Sequence, residues 1–271
     1  MHLPAKNALR SVKYFVLDHW EVVSGKRDSL TPPARFQNFV GIAGLHRQVG
    51  QEFVDYFVRL CGLRPMHHVL DVGSGFGRMA APLTRVIDKC GSYNGVEIFR
   101  PAVEWCDRHI HRRFSNFRFH HADVWNSAYN PKGKVLARNY TFPFPGALHD
   151  FVFLTSVFTH MLPPDVERYL AEIARVLKPG ARGLLTFFLL DDESLALVAS
   201  GLVELPFVKY DDEIYVTNPQ ILEAAVGYPE SRVRKSLAEH GLSILEPIHY
   251  GNWCGRDRHL SYQDIIVIEK N

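Results

Sequence analysis

The chain has 271 residues, a formal net charge of +2, four cysteines and 46% hydrophobic residues. That length and apolar share suit one α/β domain with elaborations, and the near-neutral charge gives no ground for wholesale nucleic-acid or membrane binding. Cys61, Cys90, Cys106 and Cys254 form no CxxC pair, no run approaches the about 18 apolar residues of a membrane span, and Lys6, Arg10 and Lys13 interrupt any signal-peptide core, so a cytoplasmic protein with free thiols is expected.

Residues 1–60 are expected to form a helical segment with a lid. Val12, Phe15, Val16 and His19 can share one helical face, and Gly25 and Thr31-Pro32-Pro33 then break the chain. Phe53, Val54, Phe57, Val58 and Cys61 recur at helical spacing, which predicts a helix over 46–61. Between them, the stretch 33–41 carries Arg35 and Phe36 beside amides and a glycine, and is expected to act either as a lid with those two side chains toward substrate or as a connector with a hydrophobic underside.

The stretch from His68 to Met79 organises the remainder, residues 61–271. Val69, Leu70 and Val72 read as a buried strand, and Gly73, Gly75 and Gly77 form a turn where a ligand can approach the backbone. Leu83, Val86 and Ile87 share the inner face of an expected helix, whose N-terminus offers unpaired N–H groups. Residues 91–99 read as a second strand with the acid Glu97 at its end, 20 residues after Gly77. Pro101 suits the first position of the next helix, which is expected to run through Arg113. Residues 117–123 read as a third strand ending at Asp123. His120 and His121 are adjacent and point to opposite faces, so no metal pair is expected.

Residues 126–149 form a long irregular connection, expected to be functional or mobile. The uniformly apolar run 151–156 reads as a central parallel strand. Pro163 and Pro164 start a helix with Val166, Leu170, Ile173 and Leu177 inward, Lys178-Pro179-Gly180 ends it, and 183–190 is a fifth strand. Residues 191–228 are an elaboration with two acidic triplets that lack calcium-loop spacing. A helix over 230–240 leads to strands at 242–250 and 262–269. Their link, 251–261, is too short for a parallel crossover, so the pair is antiparallel.

Asp71, Gly73, Gly75 and Gly77 resemble, position by position, motif I (acid-x-Gly-x-Gly-x-Gly) of the class I S-adenosylmethionine-dependent methyltransferases. Arg78 follows Gly77, so the spacing is not the G-x-G-x-x-G of dinucleotide enzymes. The run from Phe151 to Leu190 resembles motif IV through the lysine-proline-glycine turn. The resemblance covers roughly residues 66–190. It implies a Rossmann-like, seven-stranded, mostly parallel sheet with an antiparallel last strand and helices on both faces, with S-adenosyl-L-methionine as cofactor. It assigns cofactor binding to Asp71, Gly73, Ser74, Gly75, Gly77, Glu97, Ile98, Asp123, Val124 and Thr155. Glu97 would hold the ribose hydroxyls, Ile98 would lie beside the adenine, and Asp123 would meet its amino group.

His160, just past the fourth strand, is the first candidate for a general base; Asp28, Tyr14, His259 and Arg256 are weaker ones. Trp253 and Arg256, in the link before the last strand, are expected to recognise a polar or sugar-like substrate, or else to form a hairpin held by its own contacts. Thr155-Ser156-Val157-Phe158 stands where amino-methylating nucleic-acid enzymes carry Asp/Asn-Pro-Pro-Tyr, so nucleic acid is not the expected substrate. The fuller pattern resembles bacterial small-molecule methyltransferases and implies O-methylation of a sugar, glycan or secondary metabolite. N- or C-methylation of a small molecule, a non-catalytic S-adenosylmethionine-binding protein and a dinucleotide-dependent oxidoreductase are the alternatives.

Overall fold

A computed structural model describes residues 28–37, 44–127 and 129–271. The strands in chain order are β1 His68–Val72, β2 Ser92–Glu97, β3 Phe117–His121, β4 His149–Leu154, β5 Leu177–Phe187, β6 Leu189–Leu190, β7 Val208–Lys209, β8 Tyr215–Val216, β9 Val226–Pro229, β10 Leu242–Ile244 and β11 Asp264–Lys270. Seven of them form one sheet in the order β10-β11-β5-β4-β1-β2-β3. Pairing is parallel for β1–β4, β4–β5 and β2–β3, and antiparallel only where β11 meets β5 and β10. This is the expected Rossmann-like sheet with an antiparallel last strand. The apolar run of β4 is explained by its place between β1 and β5: Phe151, Val152, Phe153 and Leu154 are all buried.

The helices are α1 Ala34–Gln37, α2 His46–Arg59, α3 Ala80–Leu83, α4 Arg100–Cys106, α5 Pro163–Val176, α6 Asp192–Ala199 and α7 Glu230–Glu239. Contacts divide the chain into two compact units, residues 1–66 with 74–122, and 67–73 with 123–271.

In the first unit, α2 buries Phe53, Val54 and Phe57. The helix expected after the glycine turn is only the four residues of α3. Pro82 lacks an N–H, and the Thr84 hydroxyl donates to the Ala81 carbonyl, so the chain continues as tighter turns to Ile87. Leu83 and Ile87 are still buried there. Pro101 does stand in the first turn of α4, but that helix passes into a π-helical turn, Asp107–His111, rather than staying α-helical to residue 113.

In the second unit, α5 turns Val166, Tyr169, Leu170, Ile173 and Val176 inward. β5 starts at Leu177, before the lysine-proline-glycine segment. That segment is a bulge inside the strand, since pairing jumps from His149–Leu177 to Phe151–Arg182, with Gly180 at φ +71°. β10 stops at Ile244, short of the expected residue 250, because Pro247 has no N–H to extend the ladder.

The 126–149 connection is tied down rather than mobile in its second half. Arg175 donates to the carbonyls of Phe142 and Phe144, the Glu172 carboxylate accepts the Phe142 N–H at 2.7 Å, and Asp165 accepts the Arg138 N–H. Side chains of one helix thereby satisfy the backbone of an irregular segment.

The elaboration folds as a second sheet in the order β6-β9-β8-β7. Its first acidic triplet is a helix cap: Asp191 and Ser194 form a reciprocal capping box at the start of α6, with Asp192 and Glu193 in the first turn. In the second triplet, Asp211 closes a turn onto the N–H groups of Glu213 and Ile214.

Cys61, Cys90, Cys106 and Cys254 are free thiols. Among the described residues, no helix is long and apolar enough to cross a membrane. No group of His, Cys, Asp and Glu among them could hold a metal ion.

Two buried histidines make stability depend on acid. Burial, reinforced by the nearby charge of His68, holds His149 down to about 4, and burial with Arg78 nearby does the same for His46. Their ordinary value is 6.5, so between pH 6.5 and 4 the unfolded chain takes up protons that the folded chain refuses. Each ring removes roughly 3 kcal/mol of stability across that window. Buried Asp264, pushed up from 3.8 to about 6, acts in the opposite direction by a similar amount between pH 6 and 4. Burial raises Glu97 as well, which acts with Asp264, whereas Asp150, Glu172 and Asp191, held down by hydrogen bonds and ion pairs that outweigh their burial, act with the histidines, so acidification brings a net loss. Urea melts from pH 7.5 to 4.5 should show it, and His149→Phe, which keeps an aromatic edge against Phe144, should reduce the loss by about 3 kcal/mol. An unchanged slope in a folded variant removes His149 from the account.

Candidate active site

The ends of the parallel strands carry the acids expected from the sequence. In the first unit Glu97 closes β2 and is 8% exposed. Its Oε2 accepts the Gly75 N–H at 2.7 Å and its Oε1 accepts the Phe99 N–H at 2.8 Å. Burial raises its pKa against the pull of these backbone donors. The backbone bonds fix the carboxylate while each oxygen retains a further lone pair. A carboxylate so placed matches two neighbouring hydroxyl donors, such as those of a ribose.

Beside it, Ser74 donates its N–H to the Val96 carbonyl, and its buried Oγ has no hydrogen-bond partner among the described residues. A buried hydroxyl without a partner is costly, and a ligand's polar group would satisfy it. Gly75 and Gly77 adopt φ +51° and +75°. Ile98 follows Glu97, half-buried, with its carbonyl 3.1 Å from His121 Nε2. The residues of this unit therefore fit an adenosine-bearing cofactor by the chemistry of their donor set.

Phe76, inside the turn, is fully buried, and Phe36 of α1 stacks on it at 4.5 Å between ring centroids. The Arg35 guanidinium lies 4.7 Å over the Phe36 ring. The expected lid segment thus packs on the glycine turn through Phe36. Its continuation, residues 38–43, and the candidate Tyr14 lie outside the described residues. Asp28 is engaged locally, accepting from the Leu30 N–H and the Thr31 hydroxyl.

In the second unit Asp71 is buried in β1, and Gly73 follows at φ +84°. A Cβ on Gly73 would lie 2.5 Å from Val157 Cγ2, so neither the dihedral nor the space admits a side chain. Asp123 is half-buried just past β3, and its carbonyl accepts from Lys134 and Val135. Val124 is buried and bridges to Val135. Thr155 is buried at the end of β4.

Ser156 leaves β4 with φ +60°, in the left-handed region that a serine rarely occupies. A closed ring of bonds holds it there. Its N–H donates to Thr186 Oγ1 at 2.8 Å, Thr186 donates to Gln263 Oε1 at 2.7 Å, and Gln263 Nε2 donates to Ser156 Oγ at 3.1 Å. Such dihedrals concentrate at functional sites. Thr186 and Gln263 were not foreseen, because their role depends on β4, β5 and β11 being neighbours.

The turn at Ser156 leads into a short 3-10 helix, Phe158–His160. Phe158 is fully buried and stacks on Phe187 at 4.9 Å. The half-buried His160 is gripped by the elaboration: its Nδ1 lies 3.0 Å from the Glu223 carbonyl. A carbonyl only accepts, so Nδ1 carries the proton and Nε2 is the basic nitrogen of the neutral ring. Tyr228 adds a bond from its hydroxyl to the Met161 carbonyl at 2.6 Å.

Trp253 and Arg256 require a correction. Trp253 is 1% exposed, packs edge-on against Phe188 and Phe207, and donates Nε1 to Asp264 at 2.8 Å. Arg256 is 5% exposed, pairs with Asp191 and Glu193, and lies over the Tyr250 ring at 4.3 Å. Their polar groups face inward, so they hold the link and α6 together instead of facing a substrate. His259 Nδ1 lies 3.0 Å from the Arg256 carbonyl, within the same link.

Residues 70–185 match a family described as a methyltransferase domain. An O-methyltransferase, cnsE, of Penicillium expansum is 28% identical over 151 residues, 54% of this chain and 48% of that protein. The chain thus spans about half the length of the curated relative it matches. A SAM-dependent methyltransferase from Aquifex aeolicus has a similar fold, with a TM-score of 0.54 at 16% identity over 89% of this chain and all of that one. The 1,6-didemethyltoxoflavin-N1-methyltransferase of Burkholderia thailandensis, solved with 1,6-didemethyltoxoflavin and S-adenosylhomocysteine, gives a TM-score of 0.52 at 17% identity over 100% of this chain and 92% of that one.

Proposed function

From the premise that the chain belongs to the S-adenosylmethionine-dependent methyltransferases, we propose that it methylates a hydroxyl of a small molecule, such as a sugar, glycan or secondary metabolite, in the cytoplasm. The observation that carries the reading is the buried Glu97 carboxylate, held by the Gly75 and Phe99 N–H groups and still able to accept two more bonds. When bound, S-adenosylmethionine supplies a methyl group on a sulfonium, with a neutral thioether as leaving group. Glu97 accepts the ribose hydroxyls, the Ser74 hydroxyl satisfies a polar group of the cofactor, and Ile98 lies along the adenine. Asp123 accepts from the adenine amino group, with Val124 beside it. Gly73, next to Asp71, keeps the backbone of the turn open to close approach. Thr155 and the Ser156 turn set the position of His160, whose Nε2 takes the proton of the acceptor hydroxyl.

A general base matters more for a hydroxyl than for an amine, because a neutral alcohol is a weak nucleophile. That requirement, met by a histidine with a fixed tautomer, favours oxygen as the acceptor atom. The near-neutral net charge suits a small-molecule substrate rather than nucleic acid.

Calorimetric titration with S-adenosylmethionine, S-adenosylhomocysteine and NAD tests the reading, followed by a screen of sugars and phenols as acceptors. Binding of the two sulfur ligands and not of NAD is expected. Glu97→Ala should weaken both by about 1–3 kcal/mol, an approximately five- to 150-fold loss. Unchanged affinity in a folded Glu97→Ala variant overturns the ribose assignment, and binding of NAD alone overturns the function.

A further inference from the structure

The peptide between Ile98 and Phe99 is held at both ends. Its N–H donates to Glu97 Oε1 at 2.8 Å, and its carbonyl lies 3.1 Å from His121 Nε2. The side chains on either side of it also lead to the site. Ile98 is the residue set along the adenine, and Phe99 packs edge-on against Phe76 of the glycine turn, with 6.0 Å between ring centroids. One peptide thus ties together the ribose carboxylate, the adenine face and a contact with the glycine turn.

The sheet does not supply the second of those bonds. β2 and β3 are parallel, and Glu97 stands opposite His121, the last residue of β3. The Ala122 N–H still reaches the Glu97 carbonyl at 2.9 Å, just past the end of β3. The next carbonyl, that of Ile98, takes its donor from a side chain instead, and His121 provides it.

The imidazole is oriented in turn by Arg100, in the first turn of α4, whose Nη2 lies 3.2 Å from His121 Nδ1. A guanidinium only donates and a carbonyl only accepts, so Nδ1 is the acceptor and Nε2 carries the proton. A chain of bonds therefore runs from Arg100 through His121 to the Ile98 carbonyl, and the N–H of the same peptide continues it to Glu97. All four residues belong to the first unit. His120 alternates to the other face, where its Nε2 lies 3.2 Å from Asn94 Oδ1, and takes no part.

We propose that His121 is a positioning residue for cofactor binding, with Arg100 as the group that orients it. It acts through the Ile98–Phe99 peptide to hold the Glu97 carboxylate and the Ile98 side chain where an adenosine meets them. The inference rests on the reading of Glu97 and Ile98 as adenosine contacts. Without the His121 donor the peptide keeps only its bond to Glu97 and can rock about it. The ligand then has to order the carboxylate and the Ile98 side chain as it binds, and affinity falls.

The test is calorimetric titration of the full chain and its variants with S-adenosylhomocysteine, with melting temperatures measured alongside. His121→Ala should weaken binding about tenfold, the effect of one hydrogen bond. His121→Gln should restore affinity to within about twofold, because its amide can accept from Arg100 and donate to the Ile98 carbonyl. Arg100→Ala, which removes an exposed side chain, should lower affinity by a smaller factor. In a Glu97→Ala background the further loss from His121→Ala should shrink, since the two residues act on one peptide. A histidine that only braced the strand ends would lower the melting temperature and weaken binding by the same factor in both backgrounds. Unchanged affinity in folded His121→Ala, no rescue by His121→Gln, or full additivity with Glu97→Ala overturns the proposal. If His121→Ala does not fold, the comparison passes to Arg100→Ala, and unchanged affinity there overturns it. A wild-type chain that binds no S-adenosylhomocysteine removes the adenosine reading and this proposal with it, whereas wild-type binding that His121→Ala leaves intact removes the proposal alone.

Discussion

Asp264→Ala is expected to lower the unfolding free energy by about 4 kcal/mol, among the larger losses a single substitution can cause. Asp264 is fully buried at the first position of β11. Its Oδ1 accepts the Gly251 N–H at 2.7 Å, and its Oδ2 accepts the Leu189 N–H at 2.7 Å and the Trp253 indole N–H at 2.8 Å. One carboxylate thus satisfies donors from the link before β11, from the first residue of β6 and from the largest side chain of the cluster around Phe188 and Phe207. Removing it leaves three buried N–H groups without an acceptor, at roughly 1–3 kcal/mol each before relaxation.

Asp264→Asn separates this account from simple loss of volume. The amide keeps one acceptor oxygen, which can serve Leu189 and Trp253, but its NH2 then opposes the Gly251 N–H. The expected loss is about half that of the alanine variant. Urea melts near neutral pH measure both. A loss below about 1 kcal/mol in Asp264→Ala would mean that other groups or water take over the donors.

The same carboxylate explains why part of the chain resisted reading from sequence. β1 and β4 are visible because a buried parallel strand writes a short apolar run, and β2 and β3 because an acid, Glu97 or Asp123, stands at or just past the strand's end. The antiparallel ending is expected from a link of eleven residues; the pairing is antiparallel as expected, but β10 ends at Ile244 and β11 starts at Asp264, so the link is longer than that count and its length is not what sets the direction. Trp253 and Arg256 mislead for a physical reason. An aromatic ring and a guanidinium in a connection look like surface recognition, whereas their burial is decided by Phe188, Phe207, Asp191 and Asp264, which are distant in sequence. The second sheet was equally hidden, since β6, β7 and β8 are two residues long and too short to show a period. The helix expected to carry Leu83, Val86 and Ile87 on one face stops at Leu83 because of Pro82 and Thr84, two local residues that a count of apolar spacing passes over.

The second sheet also bears on chemistry, because the chain that leads into β9 supplies the Glu223 carbonyl that fixes His160. No side-chain pattern could reveal this, as the contact is made by main chain. With Nδ1 committed as donor, His160→Ala should reduce turnover of an alcohol acceptor by about 100- to 10,000-fold, while the affinity for S-adenosylmethionine stays within a few-fold. Added imidazole should restore part of the rate. The loss should also shrink for phenols relative to alcohols, because a more acidic hydroxyl needs less help in losing its proton. A residue that only packs behind the substrate would depress all acceptors alike. Equal losses for phenols and alcohols, or unchanged turnover, would therefore sink the base assignment, and the fixed Nδ1–H would then serve only to seat the turn after β4.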